Sequence, residues 1–263
     1  MDKYQLLTNQ VVELSKRIGQ FLLDEIKTLH QSDIEEKGLH NLVTRVDKAA
    51  EKQIVETLSK ILPESGFIAE EGTSTKVGET YNWIVDPLDG TTNYIHGVPL
   101  YSVSIALKKD DELVLGVIFE PNLNECFYTW KGAPTYLNAK EVTVSSIQTV
   151  DHSLFATGFP YHDYGRLTNF LEFFAYMMKN SRGVRRLGSA AVDLAYVACG
   201  RYDGFYEYGL NPWDVAAGIL LVQNAGGKVI DFTGGQDYLF GKEIVAVNDA
   251  IADEFSELIS THF

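Results

Sequence analysis

The chain has 263 residues, 45% of them hydrophobic, which suffices for one large domain or two smaller ones and excludes a disordered chain. Its 36 acidic side chains outnumber 22 basic ones for a formal charge of −14, and no basic run exceeds the pair Arg185-Arg186, so nucleic acid is disfavoured as a partner. No stretch offers the roughly 18 apolar residues of a membrane span, the N-terminus lacks a signal peptide's apolar block, and Cys126 and Cys199 have neither disulfide-framework nor zinc spacing, so a cytoplasmic protein without membrane contact is expected.

Apolar residues at Leu7, Val11, Leu14, Ile18, Phe21, Leu22 and Ile26 recur at three- and four-residue spacing, which predicts a long helix over residues 4–29 with one buried face. Ala50, Ile54, Leu58 and Ile61 predict a second helix from about Val46 to Leu62, stopped by Pro63. Beyond it "GFIAEE", "NWIVD", "YSVSIALK", "LVLGVIFEP" and "ECFYTW" read as strands joined by short turns, the mark of antiparallel pairing. After about residue 150 the pattern alternates. "LFATGF", a helix near 167–179, "GSAAVDLAYVACG", "GFYEYG", "WDVAAGILLVQNAGG", "KVIDF", "EIVAVN" and a closing helix predict helices layered on a mixed sheet. An α+β unit over residues 1–140 and an α/β unit over 141–263, tightly packed with a cleft between them, are expected.

Three acidic motifs stand out against this frame. In "YNWIVDPLDGTTNYIHG" a strand runs into Asp86 and Asp89, with Pro87 stiffening a turn and "GTTN" starting a helix. Two carboxylates three apart around such a turn point into one space, and Gly90 with the Thr91 and Thr92 amides supplies donors for an anion. An ordinary Asp-Gly turn accounts for the same residues. In "FIAEEGTS" Glu70 and Glu71 end a strand, where alternation turns one of them inward; a solvated strand end is the simpler alternative, and the polar run "GTSTKVGET" after it reads as a mobile flap. In "LNPWDVAAGILLVQNAGG" Asn211 is the N-cap, Pro212 the first helical residue and Asp214 the third, on a helix so apolar that it must be buried. A first-turn carboxylate commonly serves the helix dipole, but a buried one needs a partner, and a hard divalent cation is a good one. Asp47 in "LVTRVD" fits a capping box with Thr44 as well as it fits catalysis. His96 reads as a packing and hydrogen-bonding residue.

Taken in order, "DPLDGTTNYIHG", "AEEG" and "NPWDVAAG", supported by "LVTRVD", "GSAAVDLAYVACG", "FYEYG" and "NAGG", resemble the inositol monophosphatase family across nearly the whole chain. Each motif alone is weak and the ordered set is specific. The resemblance implies an α-β-α-β-α layered sandwich, the α+β and α/β parts combined, and a homodimeric, lithium-sensitive phosphomonoesterase. It implies two or three Mg²⁺ ions, for which Mn²⁺ can substitute, held by Glu70, Asp86, Asp89, Asp214 and the Leu88 carbonyl, with most of these ligands in the first unit. It assigns Asp47, Thr91 and Glu70 to catalysis, the Gly90, Thr91 and Thr92 region to the phosphate, and Ala190, Glu207 and Asp214 to substrate hydroxyls. A loop lysine that the family often carries falls near Glu36-Lys37 and is left unassigned.

The implied substrate is a small phosphate ester, inositol 1-phosphate first, with NADP(H) and fructose 1,6-bisphosphate as alternatives. A non-catalytic regulator that uses this fold to bind metal or a phosphorylated ligand is the rival from another class. A serine hydrolase is disfavoured because "LGSAA" is no nucleophile elbow, and "GQDYLFGK" misspaces a P-loop.

Overall fold

The computed structural model describes residues 2–38, 41–161 and 163–263. Helix α1 (Lys3–Glu25) ends in a short 3₁₀ turn over Ile26–Thr28, so the expected long helix stops one turn early. A small antiparallel ribbon, β1 (Ile34–Gly38) and β2 (Asn41–Thr44), leads into α2 (Arg45–Ile61). A seven-stranded sheet follows, in the order β3 (Gly66–Ala69), β4 (Tyr81–Asp89), β5 (Ser102–Lys109), β6 (Glu112–Glu120), β7 (Glu125–Trp130), β8 (Thr135–Leu137) and β9 (Lys140–Val142), with the five-residue helix α3 (Thr91–Ile95) between β4 and β5. Its pairs are antiparallel except β3 with β4, which run parallel because residues 70–80 form a connection long enough to return the chain to the same end.

The rest of the chain supplies β10 (Leu154–Thr157), α4 (Leu167–Asn180), β11 (Gly183–Arg185), α5 (Ala190–Ala198), β12 (Gly204–Tyr208), α6 (Pro212–Asn224), β13 (Gly227–Ile230), β14 (Glu243–Asn248) and α7 (Ala252–His262). Its five strands form a mixed sheet in the order β11-β10-β12-β14-β13.

Strand alternation assigns the layers. Trp83 and Val85 of β4 join Leu14, Ile18, Ile54 and Leu58 in a core beneath α1 and α2, while Ile84 between them faces the opposite way, into a core with α5 and α6. In the second sheet Phe205, Ile244 and Ala246 face α5 and α6, whereas Tyr206, Val245 and Val247 pack with Phe173, Met177 and Phe255 of α4 and α7. The result is helix, sheet, helix, sheet, helix, as the family resemblance implied. α5 and α6 lie between two sheets, so all nine residues of α5 are buried and the apolar stripe of a surface helix disappears. Close approach needs small residues here: a Cβ on Gly116 of β6 would stand 2.8 Å from the Ala217 carbonyl oxygen of α6.

Candidate active site

The two aspartates of "DPLDG" do not flank a turn. β4 continues through Pro87 to Asp89, and its pairing jumps from Asp86 opposite Ser104 to Asp89 opposite Ser102. Three steps on one strand against two on its neighbour make a β-bulge, and Pro87, which has no N–H to donate, sits inside it. The extra residue matters chemically. In a regular strand residues three apart face opposite sides, and the bulge returns both carboxylates to one side. That side is the middle helical layer, since Ser104 Oγ donates to the Trp213 carbonyl and Ser102 Oγ lies 3.3 Å from Ser189 Oγ.

Two helix starts meet the strand there. At the head of α6 the Asn211 N–H donates to Asp214 Oδ2 over 2.7 Å, as expected of N-cap and third helical residue. At the head of α5 the N-cap Ser189 donates its hydroxyl to Asp89 Oδ2 over 2.6 Å, and the Ala191 N–H donates to the same oxygen over 2.7 Å. Oxygens of Asp86, Asp89 and Asp214 converge within 4.8 Å of one another. Burial raises all three acids. Asp86, next raised by the charges of Glu70, Asp89 and Asp214, stands well above the carboxylate range; Asp214, also raised by Asp89, is pushed up to about 8. Asp89 rises only to about 6, because the hydrogen bonds from Ser189 and Ala191 favour its ionised form.

Such a cluster fits a hard divalent cation. Every donor is an oxygen, neither His nor Cys belongs to it, and the mutual repulsion of its carboxylates is what a cation relieves.

α3 begins on Gly90, whose φ of 101° lies in the left-handed region and where a Cβ would come within 3.2 Å of the Gly188 carbonyl oxygen. Its first intrahelical bond runs from the Tyr94 N–H to the Gly90 carbonyl, so the preceding amides have no acceptor within the helix. The Thr91 hydroxyl lies 3.1 Å from both Asp47 Oδ1 and the Leu88 carbonyl oxygen. Asp47 is buried, and its other oxygen closes the capping box, accepting from the Thr44 N–H at 2.9 Å and the Thr44 hydroxyl at 2.6 Å. Burial raises its pKa, and the bonds from Thr44 and Thr91 hold the rise back.

Glu70, Asp89, Gly90, Thr91, Thr92, Ala190, Glu207 and Asp214 all line one cleft of about 190 Å³. Asp47, Asp86 and Leu88 lie buried behind its wall. The side chains of Glu36 and Lys37 fall outside the described residues. His96 is exposed as the C-cap of α3, just past Ile95, so the packing role expected of it does not hold: the face of this helix that reaches the core is the one carrying Tyr94.

The inositol monophosphatase family model matches residues 3–262. The chain belongs to this family. An inositol-1-monophosphatase from Mesorhizobium japonicum is 42% identical over 247 residues, 93% of this chain and 92% of that one. A protein named Nus factor SuhB from Pseudomonas aeruginosa is 42% identical over 249 residues with the same shares covered. Among solved structures, the extragenic suppressor protein suhB from Bartonella henselae superposes with a TM-score of 0.92 at 37% identity, covering 98% of this chain and all of that one.

Inositol monophosphatase motifs led to the acids and passed over residues that hold them. Ser189 could have been found as the N-cap of "SAAVD", since it is the residue type that starts a helix. Asp193, one turn into α5, is buried with Oδ1 lacking a hydrogen-bond partner, and burial followed by the Glu207 charge raises it well above the carboxylate range. Arg186 lines the cleft with its guanidinium 5.3 Å from the ring centres of Phe159 and Tyr161. It is the cation that tempers Glu207, which burial pushes up to about 8. Gly158 leaves the space that the Glu207 carboxyl fills, since a Cβ there would overlap it. The "GTSTKVGET" segment is tied down at its middle by the Phe67 N–H to the Lys76 carbonyl at 2.8 Å and further on by the Gly78 N–H to Asn82 Oδ1 at 2.9 Å.

Proposed function

We propose that this chain is a Mg²⁺-dependent phosphomonoesterase acting on a small polyol or sugar phosphate, with inositol 1-phosphate as the leading substrate. The observation that carries the reading is the convergence of Asp86, Asp89 and Asp214 within 4.8 Å beside the hydrogen-bonded Thr91–Asp47 pair. These three acids, Glu70 and the Leu88 carbonyl would hold two or three Mg²⁺ ions, and Mn²⁺ would substitute. Bound there, the cations supply Lewis-acid polarisation of the phosphoryl oxygens and neutralise the charge of an anionic ester in an acidic protein.

The chain's own residues do the rest. When the Thr91 hydroxyl donates to Asp47, its lone pairs are left to accept from a water, and a proton leaving that water can pass through Thr91 to Asp47. The raised pKa of Asp47 makes it a better proton acceptor than an exposed aspartate. Gly90, Thr91 and Thr92, at the start of α3, line the cleft, and their amides would hold the phosphate there. Ala190, Glu207 and Asp214 line the same cleft and would meet the hydroxyls of the alcohol portion. The two-unit division at about residue 140, a homodimer, sensitivity to lithium and a cytoplasmic location belong to the same proposal. No described helix is long and apolar enough to cross a membrane.

A second reading, a non-catalytic regulator with the same pocket, is favoured by the relative named as a Nus factor. The formal charge of −14 supports a form of it without direct nucleic-acid contact. Phosphate release from inositol 1-phosphate, NADP(H) and fructose 1,6-bisphosphate, followed with and without Mg²⁺, separates the two. The enzyme reading predicts Mg²⁺-dependent turnover with the highest kcat/KM on inositol 1-phosphate. Binding of inositol 1-phosphate with no release from any of the three establishes the regulator instead.

A further inference from the structure

α2 carries two buried carboxylates four residues apart, Asp47 and Glu51, neither with measurable exposure. Residues at i and i+4 share one helix face. Asp47 grips Thr91 on one side of the site. Glu51 grips the loop that follows Glu70: its Oε2 accepts from the Glu71 N–H at 2.7 Å and its Oε1 from the Thr73 N–H at 2.8 Å. Both oxygens of one buried carboxylate are thereby spent on two amides of a loop some twenty residues away in sequence, and short bonds to an acid are among the stronger ones.

The loop so held begins at Glu70. On the preceding side the Glu70 N–H donates to the Val85 carbonyl at 3.2 Å, the residue before Asp86. The peptide after Glu70 is fixed by Glu51, and Gly72, with φ at 68°, turns the chain so that the amides on either side of it reach one carboxylate. Glu70 is thus pinned through its backbone on both flanks, once to the strand that carries Asp86 and once to the helix that carries Asp47.

We infer that Glu51 is a positioning residue that presents Glu70 to the cation cluster, so that α2 ties the cation side of the site to the Thr91 proton path. The inference rests on the proposed role of Glu70 as a metal ligand. It explains a feature the cluster leaves open, namely why a helix residue whose neighbours Ala50 and Ile54 pack in the core should itself be an acid. A fully buried carboxylate there is costly unless its oxygens are used, and the loop amides use both.

The test compares wild type with Glu51→Ala and the nearly isosteric Glu51→Gln, whose amide group places a donor against a loop N–H. Three quantities are read: the Kd for Mn²⁺ without substrate, amide hydrogen exchange at Glu71 and Thr73, and kcat at saturating Mg²⁺. The inference predicts faster exchange at those two amides, an Mn²⁺ Kd raised about 10–100-fold, the range seen when a group that orients a ligand is lost, and kcat within about 3-fold of wild type once the cation is saturating. A merely structural role would lower the melting temperature without moving the Kd of the folded protein. Should Glu51→Ala fail to fold, Glu51→Gln carries the same prediction. Unchanged Mn²⁺ affinity in a folded variant with accelerated exchange, or unchanged exchange in both variants, overturns the role of Glu51 and leaves the phosphatase reading standing. Wild-type protein that binds no Mn²⁺ overturns both.

Discussion

The Thr91 hydroxyl lies 3.1 Å from Asp47 Oδ1, joining two residues 44 positions apart at the starts of two different helices. In the proposed mechanism this bond is the route for a proton leaving the attacking water. Thr91→Val, which keeps shape and removes the hydroxyl, is expected to lower kcat by about 10²–10⁴-fold, the usual worth of general acid–base catalysis, with KM little changed. Thr91→Ser restores most of the loss. Steady-state kinetics on the three proteins checks this, and a Thr91→Val enzyme within 3-fold of wild type removes the proton path from the account.

Asp47→Asn is expected to cost stability as well as rate. The same side chain accepts from the Thr44 N–H and hydroxyl on one oxygen and from Thr91 on the other, so an amide, which turns one acceptor into a donor, leaves a buried donor without its acceptor at a cost of about 1–3 kcal/mol. Thermal unfolding together with kcat should show both effects in this variant, whereas Thr91→Val shows the rate effect with a smaller change in stability.

Asp89 is held by Ser189 and Ala191 on a single oxygen, which leaves the other for the cluster. Asp89→Asn should therefore fold and lose more than about 10²-fold in kcat/KM, above the range for residues that merely orient a ligand. Ser189→Ala, which removes only the support, is expected to lose about 10-fold. Equal turnover in a folded, metal-replete Asp89→Asn protein contradicts the assignment.

Gly158→Ala is expected to raise KM for the phosphate ester by about 10-fold while leaving Mn²⁺ affinity unchanged. The added methyl group overlaps the Glu207 carboxyl, a flexible side chain that must swing away from the alcohol side of the cleft. A displaced buried hydrogen-bonding group costs about 1–3 kcal/mol of binding. Unchanged KM for substrates with and without hydroxyls near the ester would remove Glu207 from substrate recognition.

Metal-free protein should lose stability as pH rises. Glu207 is an acid whose folded pKa, about 8, lies above its ordinary value of 4.5. Below 4.5 it is protonated in both states and contributes fully. Between 4.5 and about 8 the unfolded chain releases the proton and the folded one retains it, so stability falls over that window and levels off above it. In the presence of chelator Glu207→Gln should flatten the decline by up to about 1.4 kcal/mol per pH unit, one proton's worth. Denaturant melts from pH 5 to pH 8 measure the slope, and identical slopes for the two proteins contradict the raised pKa.

Local pattern carried the helices, most of the strands and the buried α6, because helical and strand periods are written residue by residue, while the five-layer order came with the family resemblance. Asn211, Pro212 and Asp214 announced a helix start, and the bond from the Asn211 N–H to Asp214 bears it out. What local pattern could not carry was register. "DPLDG" has the composition of a turn, and only the pairing of Asp86 with Ser104 and Asp89 with Ser102, contacts with a strand more than a dozen residues on, makes it a bulge. Glu51 was invisible for a similar reason: on a helix an acid between apolar residues reads as solvated until the loop that covers it is in place. The family motifs named the acids, but the hydrogen bonds that hold Asp89 come from Ser189 and Ala191, one hundred residues further along.

The most direct measurement is anomalous diffraction from crystals soaked in Mn²⁺. The account predicts manganese peaks between Asp86, Asp89 and Asp214, with Glu70 and the Leu88 carbonyl turned toward them. Crystals that show the three aspartates around solvent alone at saturating Mn²⁺, or manganese bound only elsewhere on the chain, contradict it.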